Sequence, residues 1–424
     1  MSNSSNLKPK VLVASCVFPP EPVVSAKTSY DVADYLNNLG YDVTVVCPKP
    51  SRNVDLQANQ DDFKLGKYGA FRIKRVWSVQ SNSSGVISRF IENISYGFTL
   101  FMFILFSRKT KLIYANVWPI FAGGLAVLAA KLRRIKIITS VQDLYPESLG
   151  SQNRMSEGSF IYRLLLSIDR KIARSTDHII VISEAFKKVY LESRNVPESK
   201  LTIVKNWVKE SHIDSIDKKT ARENISAHTS LSIEADDTLC VYGGNIGVAS
   251  GLDEFILYIK EAGKGLKFLI AGDGVLLDKL KLYVDENGLQ EQVGFLSPWP
   301  LELTSSLLGS ADLLILTTAK GQEFASVPSK LITYMLAAKP ILLIASKESD
   351  SGMELLRAEA GFVVSERSGQ ALNNVLDKFR AMDVSQRERM GEDGRRYAKE
   401  NYSFESASMK LDKIVTSIFS SEDF

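Results

Sequence analysis

The stretch Gly321–Pro340, GQEFASVPSKLITYMLAAKP, decides the fold because it joins two apolar runs through a loop and a helix. The run 312–317, DLLILT, precedes it, and the run 341–344, ILLI, follows it. Such short apolar runs are typical of parallel strands buried on both faces, and Pro328 and Ser329 suit the start of a helix. The stretch therefore predicts one strand–helix–strand unit of a parallel sheet.

Lys330 is the residue of this stretch that points to chemistry. It falls in the first turn of the predicted helix, where the helix dipole disfavours a cation by about 0.3–1 kcal/mol. The free amides of a helix start bind anions, and a lysine there adds positive charge. Lys330 thus predicts an anionic ligand, and the alternative is an ordinary loop with a solvated lysine.

Composition argues against several classes of function. The chain has 424 residues, 45% of them hydrophobic, which suffices for two or three domains. Its net charge of +3 argues against a nucleic-acid-binding protein. The cysteines and histidines show no metal-ligand spacing, and no GxSxG motif is present. We expect a cytoplasmic protein with reduced thiols and no bound metal or other cofactor.

Strand-like and helical runs alternate along the chain. The predicted strands are 10–18, 41–47, 112–115, 135–143, 178–183, 201–206, 238–244, 267–272, 292–296, 312–317, 341–345 and 361–365. The helical runs predicted between them are 25–39, 120–132, 252–262, 275–287 and 301–308. This alternation predicts an α/β fold of two Rossmann-like domains, whose parallel sheets we expect to face a central cleft.

The domain boundaries follow from a change in composition, because the chain turns polar and loses periodicity about halfway along. We expect an N-terminal domain at 1–208, a linker at 209–237 and a C-terminal domain at 238–395. A C-terminal helix at 396–424 is expected to pack back on the N-terminal domain. Ligands of such sheets bind beyond the carboxyl ends of the strands.

The segment 86–111 fits a water-soluble domain poorly. Residues 86–95 are amphipathic, and residues 96–106 are almost entirely apolar and aromatic before a basic flank at 108–111. The apolar run is too short to span a bilayer, which takes about 20 residues. An aromatic helix with a basic flank is typical of a membrane interface. The alternative is a helix buried on the N-terminal sheet.

Seven short motifs follow one another along the chain. They are VLVASCVFPPE at 11–21, DLYPES at 143–148, VISEAFK at 181–187, VKNWV at 204–208, YGGNIG at 242–247, AGDG at 271–274 and VPSKLITYMLAAKP at 327–340. Each is weak alone, but their order and spacing resemble the GT-B glycosyltransferases of family 4 over nearly the whole chain. The DLYPES and NWV elements look most like the branch of N-acetylfucosaminyl and related transferases of bacterial O-antigen and capsule assembly.

The resemblance implies transfer of a sugar from a nucleotide sugar, which we expect to be UDP-linked, with retention of anomeric configuration. Lys330 would neutralise the diphosphate as the glycosidic bond breaks, so no metal is needed. Glycines after the first strand of the C-terminal domain permit close backbone approach to the donor. The donor-binding residues that we expect are Gly243, Gly244, Asn245, Gly247, Gly272, Phe295, Glu323, Ser326, Ser329 and Lys330.

The resemblance also implies an acceptor site in the N-terminal domain. The acceptor-binding residues that we expect are Glu21, Ser25, Lys27, Asn116 and Asp143. Asp143 and Glu147 join Lys330 as candidate catalytic residues, and the alternative is that both acids only cap a helix and stabilise a loop. A lipid-linked sugar as acceptor would place the protein at the inner face of the cytoplasmic membrane, held peripherally through 86–111.

This chain departs from the family pattern at two places. Many members have two glutamates where this chain has Ala325 and Thr333, and Glu323 is the nearest acid. Thr333 cannot accept two ribose hydroxyls as a carboxylate would. In the first N-terminal loop, Val23 and Val24 stand in place of a usual glycine pair, which predicts a stiffer acceptor-side loop.

Two other functions stay open. A catalytically idle GT-B scaffold would bind nucleotide without turnover, and the missing glutamate favours it. A nucleotide-sugar 2-epimerase shares the fold and the donor site, but its chemistry needs acid–base groups on both sides of the sugar ring. Turnover separates these functions.

Overall fold

The computed structural model describes most of the chain, namely residues 8–21, 23–50, 71–79, 86–117, 120–151, 155–156, 158–208, 216–234, 236–260, 265–321 and 329–420. Contacts divide the chain into two compact units. Unit 1 is Met1–Asn206 with Ala407–Phe424, and unit 2 is Trp207–Ser406. Each unit contains one parallel sheet with helices between its strands, which confirms the predicted pair of Rossmann-like domains.

Unit 1 is built on a seven-stranded sheet in the order β3-β2-β1-β4-β5-β6-β7. Its strands are β1 (Lys8–Ser15), β2 (Tyr41–Pro48), β3 (Arg72–Val76), β4 (Thr110–Asn116), β5 (Lys136–Val141), β6 (His178–Val181) and β7 (Leu201–Ile203). Its helices are α1 (Val24–Asn38), α2 (Val86–Phe106), α3 (Ile120–Arg133), α4 (Glu147–Ser151), α5 (Phe160–Ser175) and α6 (Glu184–Glu192). The apolar run of β1 is fully buried, as expected for a central strand covered on both faces.

Unit 2 is built on a six-stranded sheet in the order β10-β9-β8-β11-β12-β13. Its strands are β8 (Thr238–Gly243), β9 (Leu266–Ala271), β10 (Val293–Leu296), β11 (Leu313–Thr317), β12 (Ile341–Ile344) and β13 (Gly361–Val364). The helices from here to the C-terminus are α7 (Lys218–Ser226), α8 (Leu252–Ile259), α9 (Leu277–Glu286), α10 (Thr304–Ser310), α11 (Ser329–Leu336), α12 (Asp350–Arg357), α13 (Gly369–Ala381), α14 (Val384–Tyr402) and α15 (Phe404–Ser420). The central strands β8 and β11 pair in parallel, so their carboxyl ends meet at one edge.

The segment 209–237, which we expected to be a linker, contains helix α7. The Arg222 side chain of this helix is 7% exposed and donates to Asp312 at 2.8 Å. It also donates to the backbone carbonyls of Glu234 and Asp237. These contacts fasten α7 to the body of unit 2, so this part of the segment belongs to a folded domain.

Helix α15 returns the chain to unit 1, because residues from Ala407 onwards group with that unit. The ring of Phe419 stacks on Tyr41 with centroids 5.7 Å apart, and Lys410 donates to the Ile203 carbonyl at 3.2 Å.

Helix α2 has two different faces. Tyr96, Leu100 and Ile104 are buried against the unit 1 sheet, whereas the Phe98 side chain is 60% exposed. The sequence offered a buried helix or a membrane-interface helix. The inner face of α2 agrees with the buried helix, and its outer apolar face is the one that the interface prediction concerns. In the described part of the chain, no helix is long and apolar enough to cross a bilayer.

Candidate functional site

Glycines form a tightly packed loop cluster at the carboxyl ends of β8 and β9. Gly244 donates its amide to the Ala271 carbonyl at 2.9 Å and has a φ of +139°. Gly272 has a φ of +138°, and a Cβ added there would lie 1.9 Å from the Gly244 oxygen. Only glycine fits such a contact at this backbone conformation. The structure thus brings together Gly244 and Gly272, two of the four predicted donor glycines.

Helix α11 is held on this loop by Tyr334. The Tyr334 hydroxyl accepts a hydrogen bond from the Gly243 amide at 2.8 Å. Tyr334 is 2% exposed, so this bond forms away from solvent. Lys330 lies one helical turn before Tyr334 and therefore points to the same side of the helix. Tyr334 is a residue of the candidate site that the sequence analysis missed, although its spacing from Lys330 is a usable signal.

Lys330 lies directly over the glycine loop. Its Nζ donates to the Tyr242 hydroxyl at 2.5 Å and is 4.1 Å from the centroid of that ring. The Tyr242 hydroxyl in turn donates to the Asn245 carbonyl at 2.7 Å. A Cβ added at Gly244 would lie 2.1 Å from the Lys330 Cε, so glycine makes room for this side chain. Tyr242 was also missed, because its place on a buried strand suggests only packing.

The environment of Lys330 is unusual for a lysine. Within the described residues, no carboxylate forms an ion pair with it, and desolvation lowers the pKa of its ammonium group to about 8. Lysine heads normally remain in water or pair with an acid, because burying an unpaired charge costs free energy. Among the described residues no acid neutralises this charge, so the site suits an anionic ligand.

The remaining predicted donor residues differ in where they lie relative to Lys330 and the glycine loop. The Asn245 amide lies beside Gly247, 2.9 Å from where a Cβ would stand. Phe295 lies in β10 and packs against the hydrophobic core of unit 2. Ser329 is exposed as the first residue of α11. Glu323 and Ser326 lie outside the described residues.

The Thr333 side chain is already engaged within helix α11. Its hydroxyl donates to the Ser329 carbonyl at 3.1 Å. This bond occupies the single donor of a side chain that replaces the family glutamate.

Trp299 is a further residue that the sequence analysis did not single out. Its ring packs beside Gly243, with Cη2 3.3 Å from where a Cβ would stand. The indole Nε1 is buried and has no hydrogen-bond partner among the described residues. A buried indole N–H normally finds a partner, so this unpaired donor is an exception among the described residues.

In unit 1, Glu147 is part of an ion-pair cluster around Arg194. The Arg194 side chain is 0% exposed and forms a bidentate pair with Glu147, with Nη2 2.7 Å from Oε2. Its Nε donates to Asp169 at 2.8 Å, and further bonds go to the Tyr145 carbonyl and the Ser193 hydroxyl. All five guanidinium N–H groups are therefore used. This geometry supports the structural alternative for Glu147, as a residue that stabilises the loop.

Asp143 differs from Glu147, because it is exposed at the end of β5 and belongs to none of these ion pairs. Desolvation by the surrounding protein raises the pKa of its carboxyl, and the nearby Glu147 charge adds to this increase. A hydrogen bond from Ser148 opposes it. Asp143 also lines a small cavity with Ser140, Gln142 and Tyr145. It is the candidate acid of unit 1 that remains available to a ligand.

The other predicted acceptor residues lie around the start of α1. Asn116 is 0% exposed and donates to the Ser29 hydroxyl at 2.9 Å and to the Ser25 carbonyl at 3.3 Å. Glu21 is buried and accepts from the Phe18 amide. Lys27 is exposed and Ser25 is half-buried. Asn116 and Glu21 therefore fix the loop, whereas Ser25 and Lys27 are open to solvent.

Metal ligands do not cluster in the part of the chain that the structure describes. No group of three or more His, Cys, Asp or Glu residues there could hold a metal ion. The expectation of chemistry without a metal or other cofactor stays a prediction.

The two halves of the chain match two families of glycosyltransferase domains. Residues 25–212 match Glycosyltransferase Family 4, and residues 224–397 match Glycosyl transferases group 1. The two matches are consecutive: the first covers strands β2–β7 of unit 1, and the second covers all six strands of unit 2. The chain is a glycosyltransferase of the GT-B class.

Individual proteins similar to this chain agree with that class. The probable glycosyltransferase WbjE of Pseudomonas aeruginosa is 24% identical over 331 residues, covering 76% of this chain and 79% of that protein. HepE of Anabaena, solved in complex with UDP, has a TM-score of 0.71 at 13% identity, covering 96% of this chain and 100% of that one. WaaG, a glycosyltransferase involved in lipopolysaccharide biosynthesis, has a TM-score of 0.64 at 17% identity, covering 96% of this chain and 99% of that one.

Proposed function

We propose that this enzyme transfers a sugar from a UDP-linked nucleotide sugar to a lipid-linked acceptor in the synthesis of a bacterial cell-surface polysaccharide, such as O-antigen, capsule or exopolysaccharide. The observation that carries the donor side is Lys330, a cation over Gly244 with no carboxylate partner among the described residues. A diphosphate would supply the missing negative charge. The similar fold of HepE, which was solved with UDP, supports this choice of donor.

The proposed reaction breaks the bond between the sugar anomeric carbon and the diphosphate oxygen. Negative charge develops on the departing oxygen, and the Lys330 ammonium would stabilise it. The acceptor oxygen bonds to the anomeric carbon on the face that the diphosphate leaves, and the acceptor proton passes to the released diphosphate. Configuration is thereby retained without a dedicated general base. Asp143, which is exposed at the end of β5, would orient the acceptor hydroxyl.

Recognition of the donor ribose differs from the family pattern in this proposal. Thr333 donates to the Ser329 carbonyl and offers no carboxylate, so the two ribose hydroxyls need other partners. This same observation favours the second candidate function, a GT-B scaffold that binds nucleotide without turnover. Nothing in the described site favours the 2-epimerase.

The proposed acceptor is a sugar carried on a membrane lipid, and the enzyme would act at the inner face of the cytoplasmic membrane. Support comes from the lipopolysaccharide role named for WaaG and from the match to WbjE. The donated sugar would be a hexose or an N-acetylaminosugar, and the experiment below identifies which one.

The test is a panel of UDP-sugars incubated with the purified protein and membrane extract, following UDP release and labelled lipid. One UDP-sugar is expected to label lipid, and Lys330→Met to abolish labelling. Lys339→Met is the matched control, because Lys339 is also half-buried but donates to the Gly309 carbonyl. UDP binding without transfer from any sugar would establish the scaffold instead, and full activity of Lys330→Met would refute the role of Lys330.

A further inference from the structure

Exposed apolar side chains are concentrated on three helices of unit 1. Of the 21 large apolar side chains that are exposed in the described part of the chain, 11 lie on α2, α3 and α5. Among the most exposed are Phe106 at 75% and Phe160 at 78%. The full set is Phe90, Ile91, Ile94, Phe98, Met102, Phe106, Leu128, Leu132, Phe160, Ile161 and Leu164. A concentration of this kind marks an interaction site.

The three helices form one continuous layer. A Cβ added at Gly97 of α2 would lie 2.8 Å from the Ala122 Cα of α3, so these two helices are in close contact. A Cβ added at Gly124 of α3 would lie 2.9 Å from Ile172 of α5. Helix α3 thus lies between the other two. We call the outward face of α2, α3 and α5 the three-helix face.

An exposed tryptophan borders the three-helix face. Trp77 is 65% exposed, and its carbonyl accepts a hydrogen bond from Thr99 of α2 at 2.7 Å. Tryptophan is enriched where protein meets the headgroup region of a bilayer, because its ring is apolar while its N–H needs a polar partner.

The three-helix face carries no acidic side chain. Helices α2, α3 and α5 contain only two acids, Glu92 and Asp169, and each is 9% exposed. At one end of the face, the Arg133 guanidinium donates to the Ser107 carbonyl, so the C-terminal ends of α2 and α3 meet. The exposed basic residues gathered at this end are Arg108, Lys109, Lys111, Lys131, Arg133 and Arg134, of which Lys131 pairs with Asp177.

The apolar area of the three-helix face and its lack of exposed acids distinguish between two binding partners, a second copy of this chain and a lipid bilayer. In a symmetric dimer the face would meet itself, and its basic end would find no acid on the same face of the partner. An anionic bilayer satisfies both properties, because acyl chains receive the apolar side chains while lipid phosphates attract the basic end.

We propose that the three-helix face is the docking surface of this protein on an anionic lipid bilayer. Unit 1 would rest on the membrane with α2, α3 and α5 at the headgroup boundary and with the basic end against lipid phosphates. The proposal extends the membrane location given under the proposed function, but docking does not require sugar transfer and is measured without it.

The experiment is vesicle flotation of the full-length protein. Vesicles of phosphatidylglycerol and phosphatidylcholine are compared with vesicles of phosphatidylcholine alone. We expect at least tenfold tighter binding to the anionic vesicles, weakening as salt is raised. Equal binding to both vesicle types, or no binding to either, would overturn the proposal.

Variants of the face sharpen the experiment. Phe98→Glu combined with Leu128→Glu is expected to weaken vesicle binding at least tenfold. Arg133→Glu combined with Arg134→Glu is expected to reduce its salt dependence. The control is Leu282→Glu on α9 of unit 2, where the side chain is 58% exposed and binding should not change. Unchanged binding of the Phe98/Leu128 variant would contradict the proposal, as would a dimer of the wild type that this variant dissociates.

UDP affinity, measured in the same variants, separates the two proposals. We expect every face variant to bind UDP like the wild type, because the glycine loop lies in unit 2. Vesicle binding without sugar transfer would refute only the proposed function, whereas transfer by a protein that binds no vesicles would refute only the docking surface. A variant that loses UDP binding as well is misfolded, and Phe106→Ser then replaces it in the same test.

Discussion

The loops that follow β5 and β8 hold comparable positions in the two units, each at the carboxyl end of a strand inside a parallel sheet. Each lies beside a cation removed from water, Arg194 in unit 1 and Lys330 in unit 2. All five N–H groups of Arg194 are bonded, and two carboxylates neutralise it. Lys330 lies over Gly244 and donates to the Tyr242 hydroxyl, and no carboxylate among the described residues offsets its desolvation.

This difference separates a cation whose hydrogen bonds and counter-charges are complete from one that has no anionic partner among the described residues. A buried cation whose partners are complete supports the fold, because any further ligand would have to displace a bond. A desolvated cation without an anion costs stability, and a protein retains it where a ligand supplies the counter-charge. The comparison supports a structural role for Arg194 and Glu147, and it agrees with the donor-binding role proposed for Lys330.

The largest effect is expected from breaking the ion-pair cluster around Arg194. Arg194→Met leaves Asp169 and Glu147 without their counter-charge and should lower the free energy of unfolding by about 3–5 kcal/mol. Urea denaturation measures this loss. The control is Arg163→Met, since Arg163 is exposed and donates to the Gly158 carbonyl. A loss below about 1 kcal/mol would show that the cluster does not support unit 1.

Replacing Lys330, the cation without an anionic partner, should increase the stability of the protein. Lys330→Met is expected to lower kcat by about 100- to 1000-fold, since it removes stabilisation of the leaving group. Because burial lowers the pKa of folded Lys330, keeping its charge at pH 7 costs stability, so the variant should be more stable by roughly 1–3 kcal/mol. Kinetics and urea denaturation are measured side by side. A variant that is inactive and also destabilised would indicate a structural lysine.

The charge of Lys330 predicts an alkaline limit to activity. The pKa of about 8 means that the free enzyme loses this positive charge as the pH rises above 8, so kcat/KM for the donor should fall tenfold per pH unit there. Binding of the diphosphate raises this pKa, which moves the limit to higher pH in kcat. Lys330→Arg should remove the limit, since a guanidinium stays charged. A limit that persists in Lys330→Arg belongs to another group.

The smallest effect is expected at Tyr242. Tyr242→Phe removes the hydroxyl that accepts from Lys330, which should weaken donor binding by about 1 kcal/mol, or roughly fivefold. Losing this acceptor also disfavours the charged form, so the alkaline limit should move to lower pH. Calorimetric titration with UDP measures the first effect and kcat/KM profiles the second. Tyr283→Phe, on α9, is the control, and equal behaviour of the two variants would remove Tyr242 from the site.

Much of the fold was predictable because its signals are local. Continuous apolar runs such as those of β1 and β11 show buried parallel strands, and all of their apolar residues are buried in the structure. Strand β3 was missed because it is five residues long, lies at the sheet edge and is rich in basic residues. Helix α7 was missed because it is polar, and its buried face includes Arg222, whose charge is paired with Asp312.

The candidate site was predictable in part for the same reason. Lys330 and the glycines belong to short motifs, so sequence alone singled them out. The partners Tyr242 and Tyr334 come from a strand and a helix that are far apart in the chain, and their hydroxyls meet the glycine loop only after folding. The role of Glu147 was undecided for a related reason, since Arg194 lies 47 residues away.

The sequence by itself determined the two parallel sheets, the class of enzyme and the cation at the start of α11, since apolar runs and short motifs act over a few residues. Tertiary structure decided which charged side chains find their partners and which helix faces are buried. Both depend on side chains that folding brings together from distant positions, as with Arg194 and its two acids or the layer of α2, α3 and α5. A buried charge costs free energy when it has no partner, and an apolar surface costs free energy in proportion to the area that water contacts.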